Sequence, residues 1–241
     1  MCASCQLLAI LVFCRVMDGN ALVTYIVFGG VLVPRMGSTP SVMSILTVFL
    51  PQVVAVLSFA DIVRSSLETT GPLTLPRTGS RTRWTFRQIM AAVAATVTTT
   101  VLFTVEAMAA AAFLSGQGIG RLVTAALFAT LLQALMLVAL VLAANALSLA
   151  IDPIHAGAAI AAIHVATLLA AAFTPSQRPA PLLALLPSIQ GVPAWHDLST
   201  LGIPGLGSLG FSPWISLVYL LLLAVGAAGV LARIVSKIDI L

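Results

Sequence analysis

Charge is what this chain has least of. Only 7% of its 241 residues are Asp, Glu, Lys or Arg, against 60% hydrophobic residues and a mean hydropathy of +1.14. A soluble domain carries about 25% charged residues, so a water-soluble fold is excluded. Chemistry-bearing motifs are equally scarce. No G-x-x-x-x-G-K-[ST] phosphate loop occurs, so the chain has no ATP site of its own. There is no G-x-S-x-G elbow and no H-E-x-x-H, and His155, His164 and His196 fall in three separate segments. Serine hydrolase and intramembrane metalloprotease chemistry are therefore not expected. Gly116-Gln117-Gly118-Ile119-Gly120 follows no strand and reads as a hairpin.

Cysteine is also rare, with Cys2, Cys5 and Cys14 all near the N-terminus. The Cys2-x-x-Cys5 pair has neither a second pair nor a nearby His, whereas a closed metal site needs about four ligands. No metal, redox or catalytic site is expected, and no cofactor. Cys14 follows Leu11-Val12-Phe13, a poor lipoprotein box, and no basic stretch precedes it. This segment reads as the start of a first membrane segment.

What the chain does have is long apolar runs separated by short polar breaks. At this length about six spans of roughly 20 residues fit, with no room for a soluble domain. Residues 20–34, 41–60, 89–114, 122–149, 154–173 and 214–232 are the expected spans, with Pro51 placing a kink in the second. Asp152 and Pro153 read as the N-cap and first helical position of the fifth. Residues 174–213 hold seven of the thirteen prolines and form the one long loop, partly apolar and partly re-entrant. Trp195 and Trp214 are expected at the membrane interface.

Five of the eleven basic residues, Arg64, Arg77, Arg81, Arg83 and Arg87, lie between Asp61 and Arg87. Lys and Arg favour the cytoplasmic side of short loops. Residues 61–88 are therefore the expected cytoplasmic loop, both termini face the cytoplasm, and loop 174–213 lies outside. The pI near 9.5 follows from this topology rather than from a nucleic-acid partner. The fold class is all-α, a polytopic membrane protein with six transmembrane helices.

Two groups of residues are candidates for function. Glu106, Gln133 and His164 come from three spans, each roughly 13–18 Å from its outer helix end by helical rise. A charge at mid-bilayer costs about 2.5–3.5 kcal/mol on insertion scales and usually faces the bundle interior. The three could line a substrate path or respond to protons. They could equally form a structural hydrogen-bond cluster, which is the commoner outcome. Thr96, Thr100 and Thr104 recur every four residues, a pattern of helix packing. The second group, Asp61, Arg64 and Glu68, falls at helical spacing beside Leu73, Leu75, Trp84 and Phe86. Such a stretch either lies among lipid headgroups, where anionic lipid attracts each cation by about 1 kcal/mol, or docks a cytoplasmic protein. From the residues alone the two are even.

The run Arg64-Ser-Ser-Leu-Glu68, followed by Leu73-Thr-Leu-Pro-Arg77-Thr-Gly-Ser-Arg81-Thr-Arg83-Trp84, resembles the first cytoplasmic loop of type-2 ABC exporter permeases. The ending Arg233-Ile-Val-Ser-Lys237-Ile-Asp239-Ile-Leu241 is similar to that family's basic tail, although Lys237 stands where paired arginines are commoner. Small permeases of bacteriocin or lantibiotic immunity and of drug export are the nearest likeness. The resemblance implies a multi-pass bacterial plasma-membrane subunit, partnered by a separate ATP-binding subunit and a second permease copy, that exports an amphipathic compound and confers antimicrobial resistance. It also implies that Asp61, Arg64 and Glu68 form a coupling helix and that Asp152–His155 makes a second, shorter contact. Two other classes remain beside it: a non-transporting membrane scaffold or sensor, and a proton-coupled secondary transporter using Glu106 and His164. The latter class carries inverted repeats, and none is visible between the two halves.

Overall fold

A computed structural model describes residues 42–72, 80–115, 120–172, 185–197 and 211–238. The expected span 20–34, the three cysteines, the turn at 116–119 and most of loop 174–213 lie outside the described residues. Those described are helical, and the sole bridge among them is a single parallel pairing of His196 with Phe211. In order the helices are α1 (Val42–Phe59), α2 (Ile62–Thr69), α3 (Arg81–Ser115), α4 (Gly120–Ser148), α5 (Pro153–Ala172), α6 (Pro187–Gln190) and α7 (Pro213–Lys237). A 3-10 turn, Pro193–Trp195, follows α6. Five helical stretches are long and apolar enough to cross a membrane. The chain is thus an all-helical, polytopic membrane protein, as its composition requires: only helices and closed barrels satisfy every backbone group in lipid.

Local chemistry explains the helix starts. Proline occupies the first position of α5, α6 and α7, where its missing N–H costs nothing. Asp152 Oδ1 accepts the Ile154 N–H at 2.9 Å and so caps α5. Ser80 Oγ accepts the Arg83 N–H at 3.3 Å and starts α3. That cap places the helix start inside the expected loop 61–88. Once capped, the backbone satisfies itself, so Arg81 to Gln88 continue directly into the apolar run. Spanning 35 residues, α3 is about 52 Å long by helical rise. Hydrocarbon is only about 30 Å thick, and the surplus carries the arginines clear of it.

The bundle is built around α4. In the most apolar 18-residue window of α4, 67% of residues are buried, against 22% in that of α7. Leu132, Met136, Val141, Leu142 and Ala144 of α4 are all 0–1% exposed. Helices α1, α3, α5 and α7 pack around it. On α3, Thr96 and Thr100 face this interior and are buried. Their hydroxyls donate to the carbonyls four residues back, Ala92 at 2.8 Å and Thr96 at 2.9 Å, so neither needs a partner on another helix. On the other side, Ile215, Val218, Leu222 and Val225 of α7 form an exposed apolar stripe at helical spacing.

One expectation is corrected here. Trp195 does not sit in an interfacial belt: it is 1% exposed, inside the protein. Residues 185–197 fold back into the bundle, with α6 packed against α4, α5 and α7. Pro187 and Pro193 each start a short helical turn, so the insert satisfies much of its own backbone while burying Ser188, Ile189, Val192 and Trp195. The fit is close at Gly191, where an added Cβ would stand 2.7 Å from Met136 Cβ of α4. Trp214, by contrast, is 61% exposed.

Candidate functional site

Five helix ends gather on one side of the bundle: the end of α1 with α2, the start of α3, the end of α4, the start of α5 and the end of α7. Asn145, near the end of α4, ties the first of these to the core. Its Oδ1 accepts the Val63 N–H at 3.0 Å, and its Nδ2 donates to Phe59 O at 2.6 Å and Val141 O at 2.9 Å. Phe59 and Val63 flank the break between α1 and α2, where the chain has free backbone groups. One buried amide thus replaces the helix bonds lost at the break.

Arg64 adds a second tie. Its Nη1 donates to Ser148 O at 2.9 Å and Ile151 O at 2.8 Å, and its Nε pairs with Glu68 at 2.8 Å. The guanidinium therefore satisfies carbonyls at the C-terminal end of α4, where a cation is also favoured by the helix dipole. Arg64 is committed to the protein's own structure, while Glu68 and Ser65 on the same helix remain exposed. Asp61 precedes α2, but its side chain makes no capping bond, and its buried Oδ1 has no hydrogen-bond partner among the described residues. Its backbone carbonyl accepts the Ser65 N–H at 2.9 Å.

Asp152 and His155 stand just beyond the carbonyls that Arg64 grips. Both are exposed, and His155 Nδ1 lies 3.3 Å from Asp152 Oδ1. Hydrogen bonding, first from the Ile154 N–H, holds the Asp152 carboxyl below its ordinary range. The residues expected to form two separate contacts, Asp61–Glu68 and Asp152–His155, are therefore brought to one surface with Arg64 between them. At the close approach beneath it, a Cβ on Gly157 of α5 would stand 3.1 Å from Ala60 Cβ.

The second expected cluster is arranged differently. His164 is fully buried, but its partners are Ser188 Oγ at 2.8 Å from Nδ1 and Gln52 Oε1 at 2.7 Å from Nε2. An amide oxygen only accepts, so Nε2 carries the proton and Nδ1 accepts the Ser188 hydroxyl. Phe49 packs edge-on, with ring centroids 6.5 Å apart. Both ring nitrogens are thus occupied without Glu106 or Gln133, which are half-buried on α3 and α4. Sequence reasoning missed Gln52 and Ser188. The available signal for Gln52 was a lone amide within an apolar span, next to Pro51.

His196 forms a parallel cluster at the other end of the insert. Its Nδ1 donates to Val192 O at 2.9 Å, and its Nε2 lies 2.8 Å from Ser216 Oγ on α7. Ser216 Oγ also donates to Gln190 Oε1. A hydroxyl has one hydrogen, so it serves one of these acceptors at a time. Burial pushes the His196 pKa down to about 4, keeping the ring neutral near pH 7. Phe128 and Phe211 enclose the ring, at centroid distances of 6.5 and 5.9 Å. His196 and Ser216 are each 1% exposed, which leaves no approach for a substrate.

No family model, curated protein or solved structure matches this chain. Among the described residues no group of three or more His, Cys, Asp or Glu side chains is placed to hold a metal.

Proposed function

We propose that the chain is the membrane-spanning permease subunit of an ATP-binding-cassette exporter in a bacterial plasma membrane. ATP binding and hydrolysis occur on a separate subunit, and a second permease copy, identical or different, completes the pathway for an amphipathic compound, peptide or drug. The observation that carries this reading is the double fastening of α2 to α4 through Arg64 and Asn145. A short, charged helix gripped to the most buried helix of the bundle transmits force from an external protein to the membrane core. Ser65 and Glu68 supply the outward-facing surface, with Asp152 and His155 beside them. That the sequence holds no G-x-x-x-x-G-K-[ST] phosphate loop supports a reading in which a partner supplies the energy.

The test is reconstitution with a candidate ATP-binding subunit encoded alongside this chain. The proposal expects a stable complex whose ATPase responds to transported compound. Arg64→Ala should preserve the complex and abolish that response. Failure to form a complex, or a full response in Arg64→Ala, contradicts it.

A further inference from the structure

Two lipid-facing stripes end in cations at the same end of the bundle. On α3 the exposed residues Arg83, Phe86, Arg87, Met90, Val97 and Val101 share a face. On α7 an exposed apolar stripe ends at Val230 and then Arg233 and Lys237. The two helices contact one another, and Arg81 Nη1 donates to Ile238 O at 3.0 Å, which joins the start of α3 to the end of α7. No carboxylate lies within ion-pairing distance of Arg83, Arg87, Arg233 or Lys237 among the described residues, whose two ion pairs are Arg64–Glu68 and His155–Asp152.

We propose that Arg83 and Arg87, together with Arg233 and Lys237, form a binding site for an anionic phospholipid. The lipid phosphate lies among the four cations and its chains lie along the apolar stripes. Three observations select this occupant. The arginines of α3 stand near a helix N-terminus with no acidic residue in its first turn, where the dipole disfavours cations. An external anion offsets that penalty. Phe86, 62% exposed between the two arginines, is suited to acyl chain or glycerol contact rather than to bulk water. The apolar faces continue unbroken from the cations toward mid-bilayer, a shape that matches a headgroup with its chains and not a free anion or an acidic peptide. The site is independent of Arg64, whose guanidinium is already engaged, and requires only that the chain sit in a membrane.

The experiment measures retention of phosphatidylglycerol against phosphatidylcholine by the purified full chain during detergent washing, read by native mass spectrometry. Each cation near an anionic surface contributes roughly fivefold in affinity. Wild type is expected to retain phosphatidylglycerol selectively. The Arg83→Gln/Arg87→Gln variant should lose roughly 25-fold of that selectivity, and Arg233→Gln/Lys237→Gln should behave likewise. All four side chains are exposed, so melting in phosphatidylcholine should be unchanged, which separates lost binding from lost folding. Equal retention of both lipids by wild type would overturn the proposal. So would equal loss from Arg121→Gln at the opposite end, or displacement of the lipid by millimolar glycerol phosphate, which would mark a site for soluble anions.

Discussion

At the end of the bundle that receives the insert, His164, Ser188, His196 and Ser216 are each at most 3% exposed, and every one is hydrogen-bonded within the protein. At the basic end Arg83, Arg87, Arg233 and Lys237 stand exposed, while Arg64, Arg81 and Asn145 are engaged by internal bonds. The same scarce polar side chains serve opposite purposes. In the first region they close gaps between helices and lock a proline-rich segment in place. In the second they leave a charged surface open to whatever lies outside the bilayer. A buried histidine in a membrane helix is therefore no guide to a transport path until its partners are counted, because His164 has none to spare.

The sharpest way to break this contrast is to disturb the buried ties of each region, beginning with the one at the basic end. Replacing Asn145 with Ala orphans the Val63 N–H and the Phe59 carbonyl, at about 1–3 kcal/mol for each buried group left unpaired. The melting temperature in detergent should fall more than for any exposed substitution, and proteolysis should begin at the α1–α2 break. Gly191→Val forces a side chain against Met136, and overpacking typically costs about 1–3 kcal/mol. The expected result is release of the insert, seen as Trp195 fluorescence becoming quenchable by soluble iodide.

Titration sharpens the comparison further. Because the folded-state pKa of His196 lies near 4 and its ordinary value is 6.5, the unfolded chain binds more protons between those values. Stability should then hold above about pH 6.5 and decline as pH falls toward 4. The Asp152 carboxyl, lowered in the folded protein, supplies stability that is lost only below its ordinary value of 3.8, outside that window. His196→Gln should start from a lower melting temperature and show a flatter decline from pH 6.5 to 5. A slope equal to wild type would remove His196 from the account. The smallest effect belongs to an exposed position beside the closed cluster: Trp214→Ala, at a 61% exposed site, should shift melting by less than about 0.5 kcal/mol equivalent.

Much of the fold was legible because helix formation in lipid leaves little choice. Apolar runs of about 20 residues had to be helices, and the Asp152-Pro153 pair and the threonine row of α3 carried local signals that the structure repeats. What could not be read is non-local. Gln52 and His164 are 112 residues apart in the chain, and Val63 and Asn145 are 82 apart. No spacing rule links such pairs, and Asn145 looked like an unremarked polar residue in an oily run. The run of arginines reads as a loop by composition, whereas Ser80 caps a helix that carries Arg81 to Gln88. Trp195 was misplaced because a proline-rich composition suggests surface, and only packing shows that its short turns are buried. On the basic surface, Asp61, Arg64, Glu68, Asp152 and His155 were picked from two separate breaks. Their shared location depended on Arg64 reaching across to α4, which spacing alone does not reveal.

The most direct test of the account is a cross-link from the outward face of α2. In a background where Cys2, Cys5 and Cys14 are replaced by serine, a Ser65→Cys variant carries a single reactive thiol on an exposed position. Expressed with its candidate ATP-binding subunit, it should form one cross-linked species with that subunit, and the yield should change when ATP is added. Labelling of the same thiol by a membrane-impermeant reagent in intact cells, with no cross-link formed, would contradict the account.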